Sequence, residues 1–347
     1  MDLIYERWLA HSREEHPLED YQGRTPRWCV GCGDHTILNA MLRLCRDEQL
    51  PPEKTVFVSG IGCSSRFPHY LKTYGFHSLH GRALPIAEGI KIRRPDLHVF
   101  VSTGDGDCCS IGAGHWIHAI RYNMNMTVLM HDNCVYGLTK MQTSPTSPRG
   151  LKSNTSPRGA PLAPLNPLLT SLSVSNVSFV AQAPDWIPDI LYSIIRAGYH
   201  HNGFSFIRIL QRCPNFLPNL FDPLFQDPEK ILVLTHPQGI QLDSSLSRIY
   251  TNRSEHVPAD INRARELASD PDLTPVGILY RNDQVPCYEN LRKRKQNFTP
   301  KIIEQVLNRE FDKFTVQRPR NDTVSHGSNG NSLPGFAARA VTHPFMP

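Results

Sequence analysis

Apolar residues along the chain come in two alternating kinds of run. Thr55-Val56-Phe57-Val58-Ser59 and the stretches 98–103 and 126–131 are short, nearly continuous and rich in β-branched side chains, the mark of strands buried on both faces. Between such runs the apolar positions return with a helical period. Ile37, Leu38, Met41, Leu42 and Cys45 share one face of a predicted helix that Asp34 caps, that runs to about Asp47, and that Pro51-Pro52 ends. Further helices are predicted at 84–93 and 110–122. Beyond a Ser/Thr/Pro/Gly-rich stretch the alternation resumes, with a strand at 177–181, a helix at 186–199 and a strand at 205–210. Strands alternating with helices predict an α/β fold: a mostly parallel sheet with helices on both faces.

The stretch 138–167 is too long for a passive connector and is a functional candidate. Past Pro214 the periodicity weakens, so residues 223–291 are expected to form a small irregular subdomain. From about Val316 the composition reads as disordered. The expected organisation is a polar lead-in (1–27), an α/β domain (28–222), a small C-terminal extension (223–300) and a basic, partly disordered tail (301–347).

At 347 residues, 39% hydrophobic and 20% charged, the chain can bury a large core without staples. The net charge of +5 is mild, and the basic run Arg292-Lys293-Arg294-Lys295 has no interleaved aromatics, so no nucleic-acid partner is expected. No stretch nears the roughly 18 apolar residues of a membrane span. The first residues, MDLIYERWLAHSREEH, lack the apolar core of a secretory leader. The expected compartment is the cytoplasm. There the nine cysteines serve as core residues or metal ligands, not bridges.

Ser102-Thr103-Gly104-Asp105-Gly106-Asp107 is the most informative segment. Its two glycines let the backbone turn and approach a phosphate, and a helix behind would aim its free N–H groups there. Counting 26 residues from Asp107 through Asp132 brings the next strand to its end at Asn133. The Asp105 carboxylate, the Asn133 amide oxygen and the Val135 carbonyl form a hard-oxygen set suited to Mg²⁺. Cys29 and Cys32 make a CxxC, with Cys63 31 residues on and Cys213 150 beyond that. Four thiolates suit either an iron–sulfur cluster or tetrahedral zinc, and spacing does not choose between them. Cys45, Cys108, Cys109, Cys134 and Cys287 read as packing residues. Gly60-x-Gly62-x-x-Ser65 lacks the third glycine of a dinucleotide fingerprint.

GDG followed by Asn at this distance resembles the metal–diphosphate motif of thiamine-diphosphate enzymes. With Trp28-Cys29-Val30-Gly31-Cys32-Gly33, Gly60-Ile61-Gly62-Cys63-Ser64-Ser65-Arg66, His80-Gly81-Arg82 and Tyr136-Gly137-Leu138-Thr139-Lys140, it looks like the beta subunit of 2-oxoacid:ferredoxin oxidoreductases, nearest the 2-oxoglutarate branch. The likeness spans about residues 25–220. It implies thiamine diphosphate held by Ile61, Gly62, Cys63, Ser64, His80, Gly104, Gly106, Asp107, Gly137 and Leu138. It also implies Mg²⁺ on Asp105, Asn133 and Val135, and one [4Fe–4S] cluster on Cys29, Cys32, Cys63 and Cys213. Arg66 and Lys140 match substrate-selecting positions and are expected to hold the distal carboxylate of 2-oxoglutarate; His80 lines the cofactor pocket in the catalytic set.

No second domain supplies the glutamate that thiamine chemistry needs, and Glu88 falls where the family has a small or neutral residue. No ferredoxin-type cysteine run occurs either. The likeness therefore implies a heteromer: an alpha subunit completes the site, coenzyme A is a cosubstrate and a separate ferredoxin takes the electrons. The expected reaction is oxidative decarboxylation of 2-oxoglutarate to succinyl-CoA and CO₂. Pyruvate or another 2-oxoacid, a non-redox thiamine enzyme and a zinc-stapled binding module are the alternatives.

Overall fold

The structure, a computed structural model, describes residues 16–237, 240, 242–292 and 299–314. The chain divides into two units, Met1–Arg294 and Lys295–Pro347.

In the first unit the predicted alternation becomes β1 (Thr55–Ser59), β2 (Tyr74–His77), β3 (His98–Gly104) and β4 (Met126–Asp132), then β7 (Phe179–Pro184) and β8 (Phe204–Leu210), after a short hairpin of β5 (Val135–Tyr136) and β6 (Gln142–Thr143). Three further strands, β9 (Ile231–Thr235), β10 (Arg253–Glu255) and β11 (Thr274–Arg281), complete a nine-stranded sheet ordered β10-β9-β11-β7-β8-β4-β3-β1-β2. Only the β11–β7 pairing is antiparallel.

Strand alternation sorts the core into two layers. Phe57, Phe100 and Leu129 face the side covered by α1 (Asp34–Asp47) and α5 (Pro188–His200). Val56, Val58, Val99, Val101, Val128 and Met130 face the side of α2 (Ala83–Arg93), α3 (Ala113–Tyr122), α4 (Pro167–Leu172) and α6 (Ile261–Ser269). Helices thus cover both faces of a mostly parallel sheet, as the alternation predicts.

The differences from expectation have local causes. Residues 223–291 are not an irregular subdomain. β9, β10 and β11 extend the same sheet, so the expected boundary at 222/223 divides one sheet, not two bodies. β11 is buried along most of its length, but Pro275 and Gly277 interrupt its apolar run and mask it. β2 is an exposed edge strand without an alternating pattern, and α4 ends the long stretch 138–167. The segment after Gly106 is a π-helical turn, Asp107–Ile111, before α3 begins. Asp34 opens α1 without capping it; its side chain goes to His131 instead.

In the second unit, α7 (Pro300–Asp312) is capped by the Thr299 hydroxyl. Residues 1–15, Lys293 to Lys295 of the basic run, and the expected disordered end from Val316 lie outside the described residues. Among the described residues, no helix is long and apolar enough to cross a membrane.

Candidate active site: two adjoining cavities

The carboxyl ends of β1, β3 and β4 open onto one crevice, where ligands sit in open α/β sheets. It holds a cavity of about 210 Å³ lined by Ile61 to Ser64, His80, Gly104 to Asp107, His131, Asn133 and Val135 to Thr139. Every residue expected to hold thiamine diphosphate or Mg²⁺ lies on this wall. Asp107 organises it. One of its oxygens, Oδ1, accepts from the main-chain N–H groups of Gly81 (2.6 Å) and Ile61 (3.2 Å) and stands 2.7 Å from His80 Nδ1; Thr103 Oγ1 donates to Oδ2 at 2.7 Å. A single buried carboxylate thereby ties the β1 loop, the His80-Gly81-Arg82 turn and the end of β3 together. Gly60 is glycine because a Cβ there would run into that carboxylate, and Gly106 because one would run into the Tyr136 ring.

Asp105 is buried, and among the described residues it has no cationic hydrogen-bond or ion-pair partner. Thr146 Oγ1 lies 2.7 Å from Asp105 Oδ2 and 2.8 Å from Asp132 Oδ1, so one hydroxyl hydrogen serves two carboxylates. Burial, and then the charge of Asp132, push the Asp105 carboxyl up to about 7. Asp132 has its own partner: the Arg208 guanidinium donates to Oδ2 at 2.7 Å from both Nε and Nη2. A buried carboxylate facing only neutral donors, beside Asn133 and Val135, is the donor set a hard divalent cation fits. Thr146 comes from the long Ser/Thr stretch, which folds back over the site.

A second cavity of about 240 Å³ shares Cys63, Asn133, Gly137 and Leu138 with the first, and Cys29, Cys32, Cys63 and Cys213 all line it. A Cβ at Gly137 would lie 3.6 Å from Cys63 Sγ and 4.0 Å from Cys213 Sγ, so the fourth thiol, 150 residues away in sequence, does reach the set. Trp28 Nε1 donates to the Cys63 carbonyl at 2.8 Å and pins the loop. Burial raises the Cys32 thiol strongly and pushes the Cys63 thiol up to about 12, Asp34 adding to both; a cationic centre would reverse this. Among the described residues no three His, Cys, Asp or Glu side chains are close enough for a single metal ion. Zinc gathers its sulfurs at about 2.3 Å, whereas a four-iron cluster gives each thiolate a different iron and so spreads them. Four thiols lining one cavity are a donor set that either group fits.

Arg66 and Lys140 line this second cavity, with Arg27, and not the first. Glu88 lines neither; burial alone lifts its carboxyl to about 7. Sequence patterns give Asp34 only as a helix cap and do not mark His131, Asp132, Thr146, Arg208 or Gln211 as site residues. His131 and Asp34 form a buried pair (Nδ1···Oδ1 2.7 Å) that ties the start of α1 to β4. Asp132, adjoining Asn133, carried the only local signal; the others are joined by tertiary contact.

Residues 60–209 match the family described as thiamine pyrophosphate enzyme, C-terminal TPP binding domain. The chain is 46% identical over 266 residues to the 2-oxoglutarate oxidoreductase subunit KorB of Mycobacterium tuberculosis, covering 76% of this chain and 69% of that one. It is 35% identical over 316 residues to the 2-oxoacid:ferredoxin oxidoreductase subunit beta of a Sulfolobus species, covering 84% and 94%. This chain belongs to the 2-oxoacid:ferredoxin oxidoreductase beta subunits. A solved 2-oxoglutarate:ferredoxin oxidoreductase from Magnetococcus marinus, with 2-oxoglutarate, coenzyme A and succinyl-CoA bound, superposes with a TM-score of 0.70 at 35% identity, over 86% of this chain and 97% of that one. As a beta subunit of this family, the chain carries the thiamine-diphosphate-binding fold of an oxidoreductase, and the first cavity lies within the matched domain.

Proposed function

We propose that this chain is the beta subunit of a cytoplasmic 2-oxoglutarate:ferredoxin oxidoreductase. The complex would convert 2-oxoglutarate and coenzyme A to succinyl-CoA and CO₂ and pass two electrons, one at a time, through a [4Fe–4S] cluster to ferredoxin. The observation that carries this reading is the pair of cavities meeting at Cys63, Asn133, Gly137 and Leu138. One has the donors for a magnesium-bound diphosphate and the other has four thiols. Relatives named for 2-oxoglutarate favour that substrate over pyruvate.

Asp105, Asn133 and the Val135 carbonyl would hold Mg²⁺; Gly104 and Gly106 leave room for the diphosphate. Thiamine diphosphate supplies the electron sink for decarboxylation. His80, its Nδ1 held by Asp107, presents the ring edge of the first cavity. Among the described residues its other ring nitrogen has no hydrogen-bond partner and is available to a substrate proton. Asp107 keeps the β1 loop and the His80 turn in register, so the distance between them is set before the cofactor arrives. Arg66 and Lys140 are the cations assigned to the distal carboxylate, which must be paired once desolvated. An alpha subunit would close the crevice and bring the missing glutamate.

Anaerobic purification with the alpha subunit, followed by iron, sulfide and zinc analysis, tests the cluster. A brown protein with about four irons per beta chain is expected; a colourless zinc protein would return the zinc-stapled alternative. Turnover with 2-oxoglutarate against pyruvate then tests the substrate, and Arg66→Met should raise KM for 2-oxoglutarate far more than for pyruvate.

A further inference from the structure

The Gln211 side chain contacts both a proposed cluster ligand, Cys32, and a proposed magnesium ligand, Asn133. It follows β8, is 1% exposed, and is fixed to the end of β4 by its N–H donating to the Asp132 carbonyl at 3.0 Å. Its Nε2 lies 3.2 Å from Cys32 Sγ and 2.5 Å from the Arg212 carbonyl; its Oε1 lies 2.7 Å from Asn133 Nδ2.

The donor and acceptor inventory leaves this network one arrangement. A carbonyl, and a cysteine sulfur that binds iron, can only accept. Both contacts therefore require the NH₂ end of Gln211, and its two hydrogens are used up. Oε1 is then the end left for Asn133, and an acceptor there demands the NH₂ end of Asn133. That leaves Asn133 Oδ1 to accept from the Val135 N–H at 3.1 Å, and Asn133 lines the first cavity together with Asp105. One amide orientation, set by a sulfur, dictates the next.

We propose that Gln211 is the positioning residue that couples the two cofactor sites: it donates an N–H···S bond to the Cys32 ligand and, through the same amide, locks Asn133 with its oxygen toward the magnesium position. This inference rests on the functional reading above. Hydrogen bonds to cluster sulfurs raise the reduction potential, and outer-shell partners that orient a ligand set metal affinity. A single side chain would then contribute to both quantities.

Two variants of the alpha–beta complex separate the contributions. Gln211→Met matches the volume and removes both polar ends. Its cluster midpoint, from an EPR-monitored redox titration, should fall. Its MgCl₂ half-saturation for thiamine diphosphate binding, followed by tryptophan fluorescence, should rise by about tenfold or more. Gln211→Glu keeps an acceptor for Asn133 and gives up the N–H to Cys32, and its carboxylate adds a charge that also lowers the midpoint, so the magnesium half-saturation, expected near wild type, is the readout that isolates the Asn133 contact. If either readout in Gln211→Met stays at the wild-type value, the coupling is refuted. Should that variant assemble no cluster, Gln211→Glu decides: an unchanged midpoint overturns the proposal. A wild-type complex with no cluster, or with magnesium-independent thiamine binding, sinks the functional reading instead, so the two failures are distinguishable.

Discussion

Replacing Asp105 by Asn should stabilise the empty protein and abolish cofactor binding. The carboxylate is buried, shares one Thr146 hydrogen with Asp132, and has no cationic partner among the described residues. Burial and Asp132 raise its midpoint from 3.8 to about 7. Between those values the folded state binds more protons than the unfolded state, so stability falls as pH rises through the window and stays low above it. A shift of about three units corresponds to about 4 kcal/mol. Relaxation around a buried charge recovers part of this, leaving about 2–4 kcal/mol for Asn to gain at pH 8. At about 2 °C per kcal/mol for a chain of this size, the apo variant should melt roughly 4–8 °C higher. The gain should shrink towards zero by about pH 4, where the wild-type carboxyl is already neutral. Thiamine diphosphate and MgCl₂ at a hundredfold excess over Kd should add about 2.7 kcal/mol to wild type and nothing to the variant. Differential scanning fluorimetry across pH 4–8, with and without both ligands, reads all of this. A variant that melts below wild type without ligands, at pH 8, refutes the account of Asp105 as a carboxylate held ready for a cation.

Arg208→Met leaves Asp132 buried and unpaired and should cost about 3–5 kcal/mol, read as a lowered urea midpoint; adding Asp132→Asn should restore most of it. Gly106→Ala drives a methyl into the Tyr136 ring and should cost about 1–3 kcal/mol. Thiamine diphosphate affinity should fall with it, and Tyr136→Ala in the same chain should relieve the strain. Cys63→Ser should lose the visible absorbance of the cluster and most of the iron; an unchanged spectrum would remove Cys63 from the ligand set.

The sheet was legible wherever strands are buried on both faces, because β1, β3 and β4 are then continuous apolar runs. Burial on two sides leaves a mark that burial on one side, or at an edge, does not. β2 is all exposed, and β11 carries a proline and a glycine, so neither has a readable period although both pair in the sheet. Asp34 shows the limit of local rules. Its place before an apolar helix is that of a cap, yet His131, 97 residues away, outcompetes the helix N-terminus for its oxygen.

The site was legible to the extent that its chemistry is written in short segments. Asp105, Asn133 and the four cysteines occupy turns whose spacing is constrained by a strand end or a helix start. The residues that set their charge and orientation are different in kind. Thr146 arrives from a long loop, Arg208 from the middle of β8, and Gln211 from the residue after it, each at a separation that no periodicity encodes. Local motifs can state which atoms meet a cofactor, but the protonation of Asp105 and the facing of Asn133 are decided by neighbours in space. The same division holds for Arg66 and Lys140: a cation's position in a motif fixes its loop, not the cavity its loop lines. Both sit on the sulfur side of Gly137. If they bind the distal carboxylate, the substrate must extend from the first cavity towards the cluster. The carbon that releases electrons would then lie between the two sites, and selection for a five-carbon diacid and a short electron path would be one geometric requirement.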